Sequence, residues 1–374
     1  MANPENMKVN VVIYGVVAGS YRTQNLIRSL FDISEVNLFY LNPGLLWDRP
    51  SLWNKIQRMI IELTVVWKAD IVIIPATRHQ YPYKYKLAKF FKKQVITDFY
   101  ISFYDTYVTD RKTIAKESPE AAAHFKLDQN AIISSDRTIF LNESEAEYYT
   151  RLLDVKLSDI QYSIVPLCVD SRRKAANPFA NGTTNKLTIC WWGTYIPLHG
   201  LDKVLETAHL LSKTTTDFEF ILFGNDDEKA IPFRNKVREL GIENFVKIDN
   251  SKSFHNGQLE PFLVSHCDVA LGSFGDSEKA KTVFLNKVAD AFALGIPVLS
   301  MKTKAMDTLL LIDDIIICEN RPQCMADAII ALKMDRDKLK KVGENGYRRY
   351  LDTFSYDAFK MRVQETVRNQ HNRK

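Results

Sequence analysis

Long hydrophobic runs are missing from this sequence. No stretch of the 374 residues approaches the roughly 20 uninterrupted apolar residues that a membrane-spanning helix needs. The opening residues, MANPENMKVNVVIYGV, also lack the basic start, apolar run and small-residue cleavage site of a signal peptide. The sequence therefore predicts a cytoplasmic protein without a spanning helix.

Paired cysteines and obvious metal motifs are missing as well. The five cysteines are scattered and odd in number, whereas disulfide frameworks and zinc sites need close, paired spacings. We therefore expect free thiols that pack as small apolar side chains. No Asp-x-Asp pair follows a predicted strand, so we expect neither a metal nor a cofactor. The adjacent acids at 226–227 and 313–314 are interpreted as turn or cap residues.

The sequence does contain many short, β-branched runs, separated by helix-length amphipathic segments. This alternation is typical of parallel α/β units, and the runs are apolar almost throughout, as in sheets that helices cover on both faces. We predict strands at 9–17, 36–41, 69–75, 94–100, 137–142, 162–167, 187–193, 218–224, 245–249, 268–274, 296–301 and 315–319.

The length fits two such α/β domains, each with its own core. The polar segment 171–186, SRRKAANPFANGTTNK, is the best candidate linker. We therefore predict a first Rossmann-like domain at 1–170, a second at 187–353, and a terminal helix at 354–374.

The second half contains two strand–loop–helix segments that suit an anion. In WWGTYIPLHGLDKVLETAHLL (191–211), Gly193 ends the strand, and the helix begins near Leu201 with free N–H groups. In DVALGSFGDSEKAKTVFLNKVADAFALGIPVLS (268–300), three lysines precede or open a helix. Because lysines oppose the dipole at a helix N-terminus, a bound diphosphate would account for them; the alternative is a solvated charged loop.

These segments resemble the donor domain of family 4, or group 1, of the GT-B glycosyltransferases. The resemblance is carried by WWGTYIPLHGLDKVLETA, FEFILFGND, FVKIDNSKSFHNGQLEPFLVSHCDVALGSF and ADAFALGIPVLS, and it covers residues 187–350. VITDFYISFYDTYVTDRKTIAKES and DRTIFLNESEAEYYTRLL in the first half resemble a bacterial subgroup of this family. The resemblance implies two facing Rossmann-like domains, with the terminal helix crossing back to the first.

The resemblance also implies a retaining, metal-independent transferase that moves a sugar from a nucleotide-diphosphate sugar to an acceptor hydroxyl, in cell-surface or lipid-linked polysaccharide biosynthesis. Thr194 and His199 stand where the family usually has Arg and Lys, and Thr282 and Asp290 replace its two glutamates. A non-catalytic nucleotide-sugar-binding partner and a nucleotide-sugar epimerase therefore remain alternatives. The predicted donor-binding residues are Gly19, Gly193, Thr194, His199, Gly200, Glu278, Lys279, Lys281, Asn286, Lys287 and Asp290.

The acceptor, a glycan or a lipid-linked glycan, is expected on the first domain. The strand at 94–100 and the loop beyond it carry two acids, Asp98 and Asp105, and either could deprotonate an acceptor hydroxyl. Pairing of Asp98 with Arg111, or capping of a helix by Asp98, is the structural alternative. The predicted acceptor-binding residues are Tyr21, Arg22, Tyr100, Tyr104, Asp110 and Arg111.

Positive charge is concentrated in residues 49–93, which hold ten Lys/Arg against two acids. On a helix at 81–93, we expect Leu87, Phe90 and Phe91 to face the sheet and the lysines, Lys84 among them, to face solvent. This asymmetry predicts an anionic membrane surface as a partner, with the protein on the inner face of the cell membrane. Because the basic-aromatic segment occupies an ordinary helix position, we expect no nucleic-acid partner.

Overall fold

A computed structural model describes residues 8–15, 20–41, 51–170 and 186–372. The chain divides into two compact units. The first comprises Met1–Cys168 with Tyr356–Lys374, and the second comprises Val169–Ser355. The predicted linker falls almost wholly outside the described residues.

The first unit contains a six-stranded parallel sheet with the order β2-β1-β3-β4-β5-β6. Helices separate successive strands along the chain, as parallel pairing requires. Its elements are β1 (Val9–Tyr14), α1 (Tyr21–Phe31), β2 (Val36–Leu41), α2 (Leu52–Lys68), β3 (Ile71–Ile74), α3 (Pro82–Phe90), β4 (Gln94–Asp98), a π-helical turn (Asp105–Asp110), α4 (Pro119–Ile133), β5 (Arg137–Phe140), α5 (Glu143–Leu152), a 3-10 turn (Leu157–Asp159) and β6 (Tyr162–Ile164).

The second unit contains another six-stranded parallel sheet, with the order β12-β11-β10-β7-β8-β9. Its elements are β7 (Leu187–Trp192), a 3-10 turn (Pro197–His199), α6 (Leu201–Ser212), β8 (Phe218–Phe223), α7 (Asp227–Glu239), β9 (Val246–Ile248), α8 (Leu259–His266), β10 (Val269–Leu271), α9 (Glu278–Thr282), α10 (Asn286–Leu294), β11 (Val298–Met301), α11 (Met306–Leu309), a 3-10 turn (Ile312–Asp314), β12 (Ile316–Cys318), α12 (Pro322–Met334), α13 (Arg336–Arg349) and a π-helical turn (Tyr350–Phe354).

The last helix, α14 (Tyr356–His371), returns to the first unit. It packs against α1, and Phe359, Val363 and Val367 join the buried core beneath it. Arg137 fixes the helix further, because its Nε donates a buried hydrogen bond to Gln370 Oε1 at 3.0 Å. The return of the terminal helix is thus confirmed.

The predicted fold class is confirmed, and each of the twelve predicted strands is present. Apart from β2, which has the predicted bounds, the observed strands are shorter than predicted, chiefly at their carboxyl ends, because the chain turns there into loops that still carry apolar side chains. Asp226 caps α7 and accepts a hydrogen bond from the Lys229 amide, as interpreted from the sequence. None of the helices among the described residues has the length and apolar character needed to cross a membrane.

The orientation of α3 differs from the prediction. Lys84 is buried at 3% exposure, whereas Phe90 is 77% exposed. The reason lies in the end of β1, where the Tyr14 carbonyl accepts a hydrogen bond from Lys84 Nζ at 2.7 Å. That contact orients the first turn of α3 inward. The amphipathic spacing of the sequence does not predict such a contact.

Candidate functional site

The strand order of the second sheet defines one preferred ligand position. β7 and β10 are neighbours, but the strands that follow them along the chain lie on opposite sides of this pair. In open parallel sheets, the crevice beyond the carboxyl ends of two such strands is where ligands bind. Gly193 directly follows β7, and the 272–277 loop directly follows β10.

Two glycines shape the loop after β7. Gly193 has a φ of +146°, which side-chain-bearing residues rarely adopt. Gly200, with a φ of +65°, opens α6, and a Cβ there would lie 2.2 Å from the Phe274 carbonyl oxygen. Because Gly200 has no side chain, the loop after β7 packs directly against the loop after β10. Gly193, also without a side chain, leaves space in the crevice.

Lys287 lies in the first turn of α10 and is 5% exposed. Its Nζ lies 4.3 Å from the centre of the Trp191 ring and has no hydrogen-bond partner among the described residues. No side chain caps the N-terminus of α10. Burial lowers the pKa of Lys287 well below its usual value, against the opposing pull of Asp290. A buried ammonium at an uncapped helix N-terminus is a strong anion-attracting arrangement.

His199 and Lys287 converge on one point. A Cβ on Gly193 would lie 3.3 Å from Lys287 Nζ and 3.4 Å from His199 Nε2. Burial, followed by the Lys287 charge, lowers the pKa of His199 to about 2, so its imidazole is neutral at pH 7. His199 Nδ1 and Trp191 Nε1 also lack partners within the described part of the chain. One cation and one imidazole nitrogen, His199 Nε2, thus lie beside Gly193.

Asp290 lies one helical turn beyond Lys287 and is half-buried. Its Oδ2 accepts a hydrogen bond from Trp192 Nε1 at 3.4 Å. This contact aims the carboxylate toward the β7 end of the crevice. Asp290 thus lies on the same helix as Lys287, and its predicted role in donor binding stays a prediction.

The three predicted donor-site lysines do not lie together. Lys279 and Lys281 belong to the separate five-residue helix α9, which Ser277 caps. Lys281 is exposed and forms an ion pair with Glu278 at 3.2 Å. Of the three lysines, Lys287 is the one whose ammonium is seen beside Gly193 among the described residues, and the roles of Lys279 and Lys281 stay a prediction. In the sequence, residues 276–287 resemble a single charged loop, but the Ser277 cap makes α9 a helix separate from α10.

The remaining predicted donor-binding residues are more exposed or have contacts within their own helix. Thr194 and Asn286 are exposed. The Thr282 hydroxyl donates to the Glu278 carbonyl oxygen at 2.7 Å, within α9. Gly19 lies outside the described residues. Among the residues that the structure does describe, no group of three or more His, Cys, Asp or Glu side chains could hold a metal ion.

In the first unit, Asp98 ends β4 and is buried against Arg22. Arg22 Nε lies 2.9 Å from both carboxylate oxygens, and one terminal guanidinium nitrogen lies 2.7 Å from Oδ1. The guanidinium also lies 5.8 Å from the Tyr100 ring centre. The structure therefore brings together three predicted acceptor-side residues, and the partner of Asp98 is Arg22 rather than Arg111.

Asp105, predicted in the loop after the 94–100 strand, is fully buried. It lies in the π-helical turn and accepts hydrogen bonds from Tyr148 Oη at 2.6 Å and Thr109 Oγ1 at 2.5 Å. Tyr104 is also buried and packs edge-on against Phe125. These contacts place both side chains inside the fold, where they do not suit an acceptor.

The other predicted acceptor-side residues are more accessible. Tyr21 and Arg111 are exposed, whereas Tyr100 and Asp110 are half-buried. Of these four side chains, Tyr100 lies beside the Arg22 guanidinium, and the acceptor roles of Tyr21, Asp110 and Arg111 stay predictions.

The sequence did not predict the aromatic residues that line the crevice beside β7 and β10. Trp191 lies under Lys287 and meets His199 edge-on, with ring centres 5.6 Å apart. Tyr195 stacks on Phe233 and donates its hydroxyl hydrogen to Asn250 Oδ1 at 2.6 Å. The pair of tryptophans immediately before Gly193 is the sequence signal that could have identified Trp191.

The comparisons with known proteins concern the family and the fold of the chain. Residues 207–365 match the family described as "Glycosyl transferase-like". No protein of curated function matches the sequence.

Solved structures extend the likeness over the whole chain. Sucrose-phosphate synthase from Thermosynechococcus elongatus is 13% identical with a TM-score of 0.67, covering 98% of this chain and 100% of its own. HepE from Anabaena, in complex with UDP, is 12% identical with a TM-score of 0.68, covering 97% and 100%. The lipopolysaccharide outer core galactosyltransferase WaaB is 13% identical with a TM-score of 0.63, also covering 97% and 100%. The predicted GT-B fold is thus confirmed, and residues 207–365 match the glycosyl transferase-like family, in line with the resemblance seen in the sequence.

Proposed function

We propose that the protein transfers a sugar from a nucleotide-diphosphate sugar to an acceptor hydroxyl. One observation supports this above the others: the buried Lys287 ammonium, without a hydrogen-bond partner in the described residues, at the uncapped start of α10. Burying an unpaired charge is costly. A diphosphate beside Gly193 would neutralise this charge and complete the helix terminus.

The chemistry of sugar transfer fits this arrangement. Departure of the nucleoside diphosphate leaves an oxocarbenium-like sugar and places negative charge on the leaving phosphate. Lys287 and the α10 N-terminus would stabilise that charge electrostatically, so the proposed transfer is metal-independent. Neutral His199 would donate or accept one hydrogen bond beside it. Retention of the anomeric configuration is proposed from the resemblance to family 4.

The similar solved structures support a uridine nucleotide as the first donor to test. HepE has been crystallised with UDP and with UDP-glucose, and WaaB is a galactosyltransferase. We therefore propose a hexosyl transfer and a UDP-hexose as the first candidate donor.

The donor is tested by thermal unfolding with a panel of nucleotide sugars, because a ligand that binds only the folded state raises the melting temperature. A nucleoside diphosphate and at least one of its sugars should raise it, in excess chelator as well as with magnesium. Lys287→Met should remove the shift, whereas the exposed Lys247→Met should keep it. Absence of any shift across the panel would contradict donor binding.

Product analysis separates transfer from the alternative activities. With donor alone, a transferase releases at most free sugar, whereas an epimerase converts the donor into an isomer. Transfer to a glycan or lipid-linked acceptor, followed by NMR of the new linkage, would establish retention or inversion. Donor binding without turnover for any acceptor would favour the non-catalytic partner.

The acceptor hydroxyl is proposed to bind near Asp98, Arg22 and Tyr100. Both oxygens of Asp98 are committed to Arg22, so the pair forms a rigid, nearly neutral unit at the carboxyl end of β4. We propose that Asp98 orients the acceptor or, after Arg22 shifts, accepts its proton.

The first unit also supports the proposed attachment to an anionic membrane on the cytoplasmic side. α2 buries only Val66, while Trp53, Ile56, Ile60 and Trp67 are exposed along one side at helical spacing. Large exposed apolar faces are uncommon on soluble monomers and typically mark interaction surfaces. The exposed lysines of the adjacent 86–93 segment would add roughly 1 kcal/mol each near an anionic leaflet.

Co-sedimentation with vesicles tests this attachment. Binding to vesicles containing phosphatidylglycerol should exceed binding to neutral vesicles and should weaken between 0.1 M and 1 M salt, as the Debye length falls from about 10 Å to about 3 Å. Gln at Lys86, Lys89 and Lys92 should reduce binding. The matched control places Gln at the exposed lysines 112, 116 and 126 of the same unit. If both variants lost vesicle binding equally, the lysines of the 86–93 segment would not form a specific membrane-binding face.

A further inference from the structure

A column of three stacked rings lies beyond the carboxyl ends of β3 and β4 in the first unit. His79 follows β3, and Phe103 and Tyr107 follow β4. The ring centres of His79 and Phe103 lie 5.5 Å apart with their planes 22° apart, and those of Phe103 and Tyr107 lie 5.8 Å apart with planes 2° apart. His124 of α4 lies 6.1 Å from the Phe103 ring centre and 5.7 Å from that of Tyr107. We call Phe103, Tyr107 and His124 the aromatic platform.

The platform is not part of the buried core. His79 is fully buried, whereas Phe103, Tyr107 and His124 are half-buried. Among the described residues, the core cluster that contains Phe99 includes neither Phe103 nor Tyr107. Aromatic rings contribute most to stability when they are removed from water. Burial alone therefore does not account for a stack that stays partly exposed.

A buried carboxylate fixes the two loops that carry the column. Asp128 of α4 is fully buried, and its Oδ1 accepts hydrogen bonds from His79 Nε2 at 2.9 Å and Gln80 Nε2 at 3.0 Å. Its Oδ2 accepts hydrogen bonds from Ser102 Oγ at 2.7 Å and the Tyr104 amide at 2.9 Å. A buried carboxylate is costly even when it is paired. Here it holds the loops after β3 and β4 rigid, as a preorganised binding site requires.

The backbone that carries the platform is unusual. Phe103 lies just before the π-helical turn Asp105–Asp110, and Tyr107 lies within it. Such turns are rare and occur frequently at functional sites. In open parallel sheets, ligands bind beyond the carboxyl ends of the strands, where this turn lies. The backbone and the position of the platform are thus both typical of a binding site.

We propose that the platform binds one sugar ring of the acceptor glycan through the apolar face of that ring. The carbon-bound hydrogens on one side of a pyranose carry slight positive charge, which the negative face of an aromatic ring attracts. The platform also has polar groups for the sugar hydroxyls. Tyr107 has its phenolic hydroxyl, and Gln80 Nε2 donates to His124 Nδ1 at 3.1 Å, so the other imidazole nitrogen carries a hydrogen.

Aromatic faces with a few polar groups are the usual composition of a small-molecule site. The platform also adjoins the proposed position of the acceptor hydroxyl. Phe103 follows Asp98 by five residues, which limits the separation of their Cα atoms to about 18 Å. An oligosaccharide can therefore place one sugar on the platform while another presents its hydroxyl near Asp98. The assignment to an acceptor rests on the proposed function, whereas the sugar site itself does not.

Saturation-transfer NMR tests the platform without a nucleotide sugar. The probes are the methyl α- and β-glycosides of glucose and galactose, with lactose and cellobiose. At least one probe should bind, with the strongest transfer to hydrogens on one side of a pyranose ring. Phe103→Leu and Tyr107→Leu should each weaken its binding by about tenfold, whereas Tyr107→Phe, which keeps the ring, should retain it. Phe90→Leu, at an exposed aromatic residue of α3, is the matched control.

The outcomes separate this site from the proposed function. Absence of binding by every probe, or binding that survives the leucine variants, would overturn the platform. An equal loss in Phe90→Leu would overturn its specificity. If Phe103→Leu fails to fold, the comparison of Tyr107→Leu with Tyr107→Phe still decides. A sugar bound at the platform of a protein that binds no nucleotide sugar would support this site and reject the proposed function.

Discussion

Replacement of Lys287 by methionine isolates the charge that we assign to the donor diphosphate. Methionine keeps most of the side-chain length and its packing over Trp191, but it removes the ammonium and its cation–π contact. The substitution therefore changes electrostatics with little change in shape.

The expected effects on binding and stability have opposite signs. Loss of a charge-assisted hydrogen bond costs about 1.5–3 kcal/mol, which is roughly a 10- to 150-fold rise in the Kd of a nucleoside diphosphate. Because the ammonium is already desolvated in the free protein, we expect a value near the upper end. The pKa of Lys287 is lowered by folding, so its charged form destabilises the folded state below pH 10. Lys287→Met should therefore raise the melting temperature at pH 7.

Calorimetry and thermal unfolding of the same samples check both signs. His199→Lys in the Lys287→Met background should recover part of the affinity, because both side chains reach the same point beside Gly193. Lys247→Met, at an exposed lysine of β9, is the matched control. A nucleoside diphosphate affinity of Lys287→Met within twofold of the wild type would refute the placement of the diphosphate.

Three other predictions follow from named contacts. The affinity for a nucleoside diphosphate should fall as pH rises above the lowered pKa of free Lys287, because binding then requires proton uptake; calorimetry in two buffers of different ionisation enthalpy detects that proton, and Lys287→Met should abolish it. Asp98→Asn should lower kcat by about 100-fold or more if Asp98 accepts the proton of the acceptor hydroxyl. An unchanged kcat in a folded variant would show that Asp98 serves only to position Arg22. Gly200→Ala should lower the free energy of unfolding by about 2 kcal/mol or more, because its Cβ would collide with the Phe274 carbonyl; chemical denaturation measures this, and an unchanged midpoint would show that the loop relaxes freely.

The fold was largely predictable because its signals are local. Apolar runs of five to seven residues, such as 187–193 and 218–224, hold most of the information for a strand that is buried on both faces. The glycine that ends α10 and the helix start near Leu201 were equally local signals. The positions of Gly193 and Lys287 at strand and helix ends followed from these elements.

The side-chain partners were less predictable because they depend on residues far apart in the chain. Asp98 pairs with Arg22 across 76 positions, and Tyr148 covers Asp105 from a helix that follows another strand. Periodicity assigns a residue to one side of a helix, but it does not predict which side chains of other elements contact that side. The misplacement of Lys84 and Phe90 has this origin.

By itself, the sequence determined the succession of strands and helices, the resemblance to a glycosyltransferase family and the strand ends, after β7 and β10, where we propose an anion site. Only the tertiary structure showed that Lys279 and Lys281 belong to a separate short helix, α9, while α10 buries Lys287 beside Trp191 and His199. It also decided that Lys84 is buried at the end of β1. The physical reason is the same in both units: the energy of a charge depends on its burial and on its neighbours, and packing between distant segments sets both.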